Sequence, residues 1–144
     1  MVKSISLAPL ARWLCVASAA IAALTCDRSP SAPSPLPAGS WGGDHIALTI
    51  NATATHIEFD CAHGDIPTAL AVDARNEFDV PGTFVREHGG PIREGEPADS
   101  RPARYAGSVT GRMMVLTVRL TDGTEPIGTY ALSRDAPGRV VKCL

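Results

Sequence analysis

Beyond Trp41 the apolar residues of this chain recur at every second position. That period matches a half-buried β-strand, whose side chains point alternately to core and solvent, and not the 3.6-residue period of a helix. Ile46, Leu48 and Ile50 alternate with His45, Ala47 and Thr49, and Ile57, Phe59 and Cys61 alternate with His56, Glu58 and Asp60. The polar residues 51–55 between them read as a hairpin connection. Leu70 and Val72 precede a turn at 73–76, and Phe78 and Val80 follow it. Pro81-Gly82 is expected to interrupt the strand before Phe84 and Val85 resume it. Tyr105, Gly107 and Val109 lead through Thr110-Gly111 into Met114, Leu116, Val118 and Leu120. Asp122-Gly123 is a hairpin turn signal, and residues 127–132 and 139–143 supply the last two expected strands. About eight strands joined by short turns, with no helical period, predict an all-β antiparallel meander. Closure into a small barrel removes its exposed edges, with a β-sandwich as the alternative.

The first 25 residues read differently. Lys3 and Arg12 flank an opening without acids, residues 13–24 are almost wholly apolar, and the first carboxylate is Asp27. An apolar run of about 12 residues is short of the roughly 20 that a spanning helix requires, so residues 1–25 are expected to be a secretory signal. Cysteine arithmetic then bears on where it is cut. Cys15 lies inside the signal, and cutting after Ala22 would leave Cys26, Cys61 and Cys143, an odd number in an oxidising compartment. Lipidation of Cys26 would remove the spare thiol, whereas the cut after Ala22 would give a secreted or periplasmic soluble product.

Residues 26–40 contain Pro30, Pro33, Pro35 and Pro37 among serines and alanines. Such a stretch favours an extended polyproline-type chain, expected to pack against nothing and to reach up to roughly 40 Å. The folded domain is assigned to residues 41–144. For the whole chain, a hydrophobic content of 44%, charged content of 19% and net charge of -2 belong to a globular protein and exclude a basic nucleic-acid-binding surface. Cys61 ends the second expected strand and Cys143 is penultimate, so a disulfide between them would tie the C-terminal strand to the early sheet. On the chain-entropy model that bond contributes roughly 3 to 5 kcal/mol.

Three sets of residues carry resemblances. Ala23-Leu24-Thr25-Cys26 resembles the lipobox of bacterial lipoproteins, which implies a diacylated Cys26 as the new N-terminus and attachment to the non-cytoplasmic side of a cell-envelope membrane. Gly39-Ser40-Trp41 resembles the Gly-x-Trp opening of lipocalins and avidins, which implies a tryptophan plugging one end of an eight-stranded meander barrel. The set Trp41-Gly42-Gly43-Asp44-His45-Ile46, Asp60-Cys61-Ala62-His63-Gly64, Glu87-His88-Gly89-Gly90-Pro91 and Lys142-Cys143-Leu144 is similar to a group of small bacterial exported lipoproteins. That similarity brings no catalytic residues with it.

Candidate functional residues are few. His45, His56, His63 and His88 lack the paired spacing of a zinc site, so no metal or cofactor is assigned. His45 and Asp60 are expected on adjacent strands, and His63 and His88 in loops that meet at one rim. The 17 residues 87–103 form a long expected loop whose arginines and acids nearly cancel, a candidate binding lid. The candidate binding rim is therefore Trp41, His45, His63, His88 and Arg93. No nucleophile with a paired base and no phosphate-cradling glycine loop occurs, so no catalytic residue is assigned. The expectation is a non-enzymatic, lipid-anchored envelope protein that binds a small ligand or an envelope protein, and no nucleic acid. The alternatives are a small metal-assisted hydrolase built from His45, His63 and His88, and a structural or inhibitory envelope component.

Overall fold

The computed structural model describes residues 32–91, 95, 97–123 and 126–143. The signal, Cys26 and Arg93 lie outside the described residues. The described chain is all β. Its strands are β1 (Ser34–Pro35), β2 (Gly39–Gly43), β3 (Ile46–Ile50), β4 (Thr55–Phe59), β5 (Ala62–Ile66), β6 (Ala71–Val72), β7 (Glu77–Arg86), β8 (Asp99–Thr110), β9 (Met113–Leu120) and β10 (Pro126–Arg134). Eight of them form a closed antiparallel barrel in the order β10-β2-β3-β4-β5-β7-β8-β9, so the sandwich alternative is set aside. Closure falls between the last and first barrel strands, where Leu132 faces Gly43 and Arg134 faces Trp41.

The alternation that announced the strands also fills the barrel. β9 is the clearest case: Met114, Leu116, Val118 and Leu120 are 0–2% exposed, while the residues between them face solvent. The inner residues of β3, β4 and β5, together with Trp41, Phe78, Phe84, Tyr105 and Leu132, complete one continuous core. Tyr105 is wholly buried and donates its hydroxyl to Thr83 O at 2.6 Å. Gly64 is required on the facing strand, because a Cβ there would occupy the space of the Tyr105 hydroxyl.

Several sequence expectations change. His45 and Asp60 belong to the β2–β3 and β4–β5 turns and not to strands, because Gly43↔Ile46 and Phe59↔Ala62 are already facing pairs two residues either side. Cys61 shares the second of those turns, and His63 lies within β5, so its expected loop position is replaced by a strand. Pro81-Gly82 does not break β7. β5 pairs with β7 only from Thr83 onward, so Pro81 sits where β7 has an open side and a missing N–H removes no bond there. The expected loop 87–103 ends at Asp99, because residues 99–103 extend β8 against residues 82–86 of β7. Arg101, Pro102 and Arg104 had masked that alternation.

The expected final strand at 139–143 is absent. Closure of β10 on β2 leaves no free edge for a further strand, so the tail runs irregularly over the outside of the barrel, with one isolated parallel bridge between Asp44 and Arg139. Gly42 marks its course, since a Cβ there would collide with the backbone of residues 136–138. The proline-rich stretch is also more bound than expected. Ser34–Pro35 pairs with Ala71–Val72, Leu36 N donates to Leu70 O at 2.8 Å, and Leu36 packs against the core. Gly39 and Ser40 are already barrel strand.

The strand directions divide the turns between two ends. The first strands and the connection 67–76 gather at one end, which Leu36 and Leu70 cover. The turns at 44–45 and 60–61, the loop 87–98 and the connection 121–125 gather at the other.

Candidate functional site

The end of the barrel away from Leu36 and Leu70 carries a cleft of about 490 Å³, lined by His45, Phe59, Asp60, Phe84, Arg86, Pro126, Ile127, Gly128 and Tyr130. Every lining residue comes from a strand end or turn at that rim. Phe59 and Phe84 are the innermost, 2% and 4% exposed, and Phe59 packs against both Phe84 and Tyr130 at 5.4 Å between ring centres. The floor is therefore aromatic and the mouth polar. Burial pushes the Tyr130 hydroxyl above its ordinary range, and the Asp60 charge adds to this, so it stands there as a neutral donor.

His45 and Asp60 form the polar wall. Nδ1 of His45 lies 2.5 Å from Asp60 Oδ2, and the His45 side chain is 69% exposed. The other carboxylate oxygen accepts from Val141 N at 2.7 Å. That backbone bond, followed by the one from His45, holds the Asp60 carboxyl below the usual carboxylate range. With Nδ1–H donated to Asp60, the neutral ring presents Nε2 as an acceptor. No serine, threonine or cysteine lines the cleft among the described residues, and Tyr130 carries the hydroxyl there.

A second polar group lies on the outer face of β4 and β5. Asp65 accepts from His56 Nδ1 at 2.7 Å and Glu58 from its Nε2 at 2.8 Å, and His63 Nδ1 meets Glu87 at 2.8 Å. Lys142 from the tail closes the chain of charges by pairing with Glu58 and with Glu87, and donates to Ala62 O at 3.1 Å. Asp65, then Glu58, raise the His56 pKa from its ordinary 6.5 against a smaller opposing effect of burial. Burial raises the Glu58 carboxyl, but Lys142 and His56 together outweigh it and hold the group low. His63 first, then Lys142, hold the Glu87 carboxyl low against burial.

The sign of the pH dependence follows from these directions. A raised His56 stabilises the fold below pH 6.5 and loses that contribution as pH rises through its folded pKa. The lowered Glu58 and Glu87 contribute above their ordinary 4.5 and lose it as pH falls. Stability is therefore expected to peak between about pH 5 and 6.5. Replacing His56 by Gln is expected to flatten the alkaline side of that peak, with an effect under about 1 kcal/mol because the pairs are exposed. Urea titrations from pH 5 to 8 check this; a variant whose curve stays parallel to the parent's contradicts it.

Of the sequence-derived rim residues that are described, His45 alone lines the cleft. Trp41 is 2% exposed within the core, with its side chain inside the barrel and not at a rim. His63 faces outward on β5, and His88 is exposed beyond β7 with Nδ1 3.2 Å from Gly89 O. The three histidines of the hydrolase alternative thus each engage a different partner. Among the described residues no three His, Cys, Asp or Glu side chains converge where they could hold a metal ion. Sequence reasoning missed Arg86, Ile127 and Tyr130. Tyr130 shares the inward parity of Leu132 at the opening of its strand, which was the available signal for a mouth residue. No protein-family model, curated protein or solved structure matches the chain.

Proposed function

We propose that this protein is a non-enzymatic, lipid-anchored cell-envelope module that binds its ligand or partner protein at the rim cleft. The observation that carries the reading is the combination of a barrel filled with side chains and an open cleft at the end opposite the proline-rich stretch. A lipocalin-like interior store has no room in such a core. The aromatic floor offers apolar contact, and His45, Asp60 and Tyr130 offer both donors and acceptors.

Lipidation at Cys26 would orient this site. Because Ser34 is held by Ala71–Val72, at most residues 27–33 would separate a lipidated Cys26 from the folded body, a span of up to roughly 20 Å, half the reach expected from the sequence. The covered end would then face the membrane and the cleft would face away from it. Cys26→Ser is expected to move the protein from the membrane to the soluble fraction and to remove the diacylglycerol mass; an unchanged membrane fraction overturns the anchor.

Binding at the rim is tested with a photoreactive residue in place of Ile127 and, separately, of Val115 on the outer wall. In intact envelopes the position at 127 is expected to give a discrete adduct that the position at 115 does not. Equal labelling from both, or none from 127, rejects the rim as the binding surface.

A further inference from the structure

The barrel is complete at Arg134, so residues 135–143 are not needed to close it. They nevertheless reach both turns that carry the polar wall of the cleft. Arg139 N donates to Gly43 O at 2.9 Å, His45 N donates to Arg139 O at 2.8 Å, and the Arg139 guanidinium pairs with Asp44. Val141 N donates to the Asp60 carboxylate, and Cys61 N donates to Val141 O at 3.3 Å. His45 and Cys61 both hold left-handed backbone, at φ of 65° and 51°. Histidine is found there more often than most residues, but cysteine is not, and such positions persist where the surroundings over-determine them. Here the surroundings are the tail. Cys143, bonded to Cys61 across a Cα–Cα distance of 4.9 Å, is the tail's covalent attachment.

We infer that Cys61–Cys143 is a redox clasp: thiol–disulfide exchange at Cys143 releases the tail, relaxes both turns and dismantles the His45–Asp60 wall of the cleft. Cys143 is exposed and Cys61 is partly buried, so an incoming thiolate meets Cys143. The co-reactant is a protein or small-molecule dithiol. One of its thiolates attacks Cys143 Sγ, the S–S bond breaks and the electron pair leaves on Cys61 as a thiolate, which takes up a proton. The second thiol of the reductant then attacks the mixed disulfide and frees Cys143. The reductant is oxidised to its own disulfide, and the two electrons and two protons it gives up end on Cys61 and Cys143. The remaining attachments of the tail are backbone bonds at irregular chain and exposed ion pairs, and exposed pairs of this kind hold a segment weakly.

The inference deepens the rim reading and rests on it for its functional meaning, but its physical content is measured without a ligand. Hydrogen exchange of the full processed chain in detergent is followed by mass spectrometry, with and without dithiothreitol, at matched thiol counts. Reduction is expected to bring the amides at 44–45, 60–61 and 139–143 to the exchange rates of unstructured chain, while those of β8 and β9, although sped by the lower global stability, remain at least about tenfold slower. The double substitution Cys61→Ser/Cys143→Ser is expected to show the same pattern without reductant. Two free thiols with unchanged protection at the turns overturn the clasp, as does loss of all protection in β8 and β9, or a disulfide that dithiothreitol does not reduce in the folded protein. Failure of the photo-crosslinks from position 127 would reject the binding site while leaving this exchange pattern intact, so the two readings fail separately.

Discussion

Replacing Cys61 and Cys143 together by serine is expected to lower the unfolding free energy by roughly 4 kcal/mol while leaving the all-β circular dichroism spectrum in place. The two cysteines are 82 residues apart, so the bond removes the freedom of most of the domain's chain in the unfolded state. For a domain near 100 residues a loss of that size shifts the thermal midpoint by roughly 15–20 °C. The spectrum survives because closure by β10 on β2 does not involve the tail. Paired guanidinium and thermal unfolding curves measure both parts. A loss under about 1 kcal/mol would show that the denatured chain gains little from the missing cross-link, and loss of the β spectrum would show that the tail is needed for closure.

The second large effect is expected at Tyr105. Its ring fills the barrel beside Gly64 and Gly82, and its hydroxyl satisfies Thr83 O. Tyr105→Ala leaves a cavity bounded by two glycines that cannot fill it, and about 4 kcal/mol is expected, within the range for truncating a buried aromatic residue. Tyr105→Phe keeps the ring and removes only the hydrogen bond, so about 1 kcal/mol is expected. Denaturant titration of the two variants gives the ratio. Similar losses for both would place the energy in the hydroxyl and not in the packing.

Several elements could be read from the chain before any coordinates. Residues 46–50 and 113–120 form strands because their alternation is unbroken, and alternation is a local property of the chain. The Cys61–Cys143 bond was legible from cysteine number and position. The start of β8 was not, because Pro102 and Arg104 hold its outward positions, Arg101 has the inward parity, and the inward residue between them is the small Ala103. Nor was β5, where the inward positions include the small Ala62 and Gly64, the latter small because Tyr105 of β8 takes its space. A residue whose size is set by a distant partner carries no local signal.

The same distinction applies to the candidate site. His45 stood out as a polar residue in an apolar alternation, whereas Arg86, Ile127 and Tyr130 are separated from it by most of the domain and meet it only at the barrel mouth. By itself the amino-acid sequence determined the all-β class, the antiparallel meander and the covalent link, since each follows from periodicity, turn length or residue count along the chain. Only the tertiary structure decided that the meander closes, that Trp41 is core and that the last residues become a strap over two turns instead of a strand. The physical reason is that hydrogen bonding across the closing seam consumes the edge a further strand would need, and which edge is consumed depends on strand register and not on any one segment's composition.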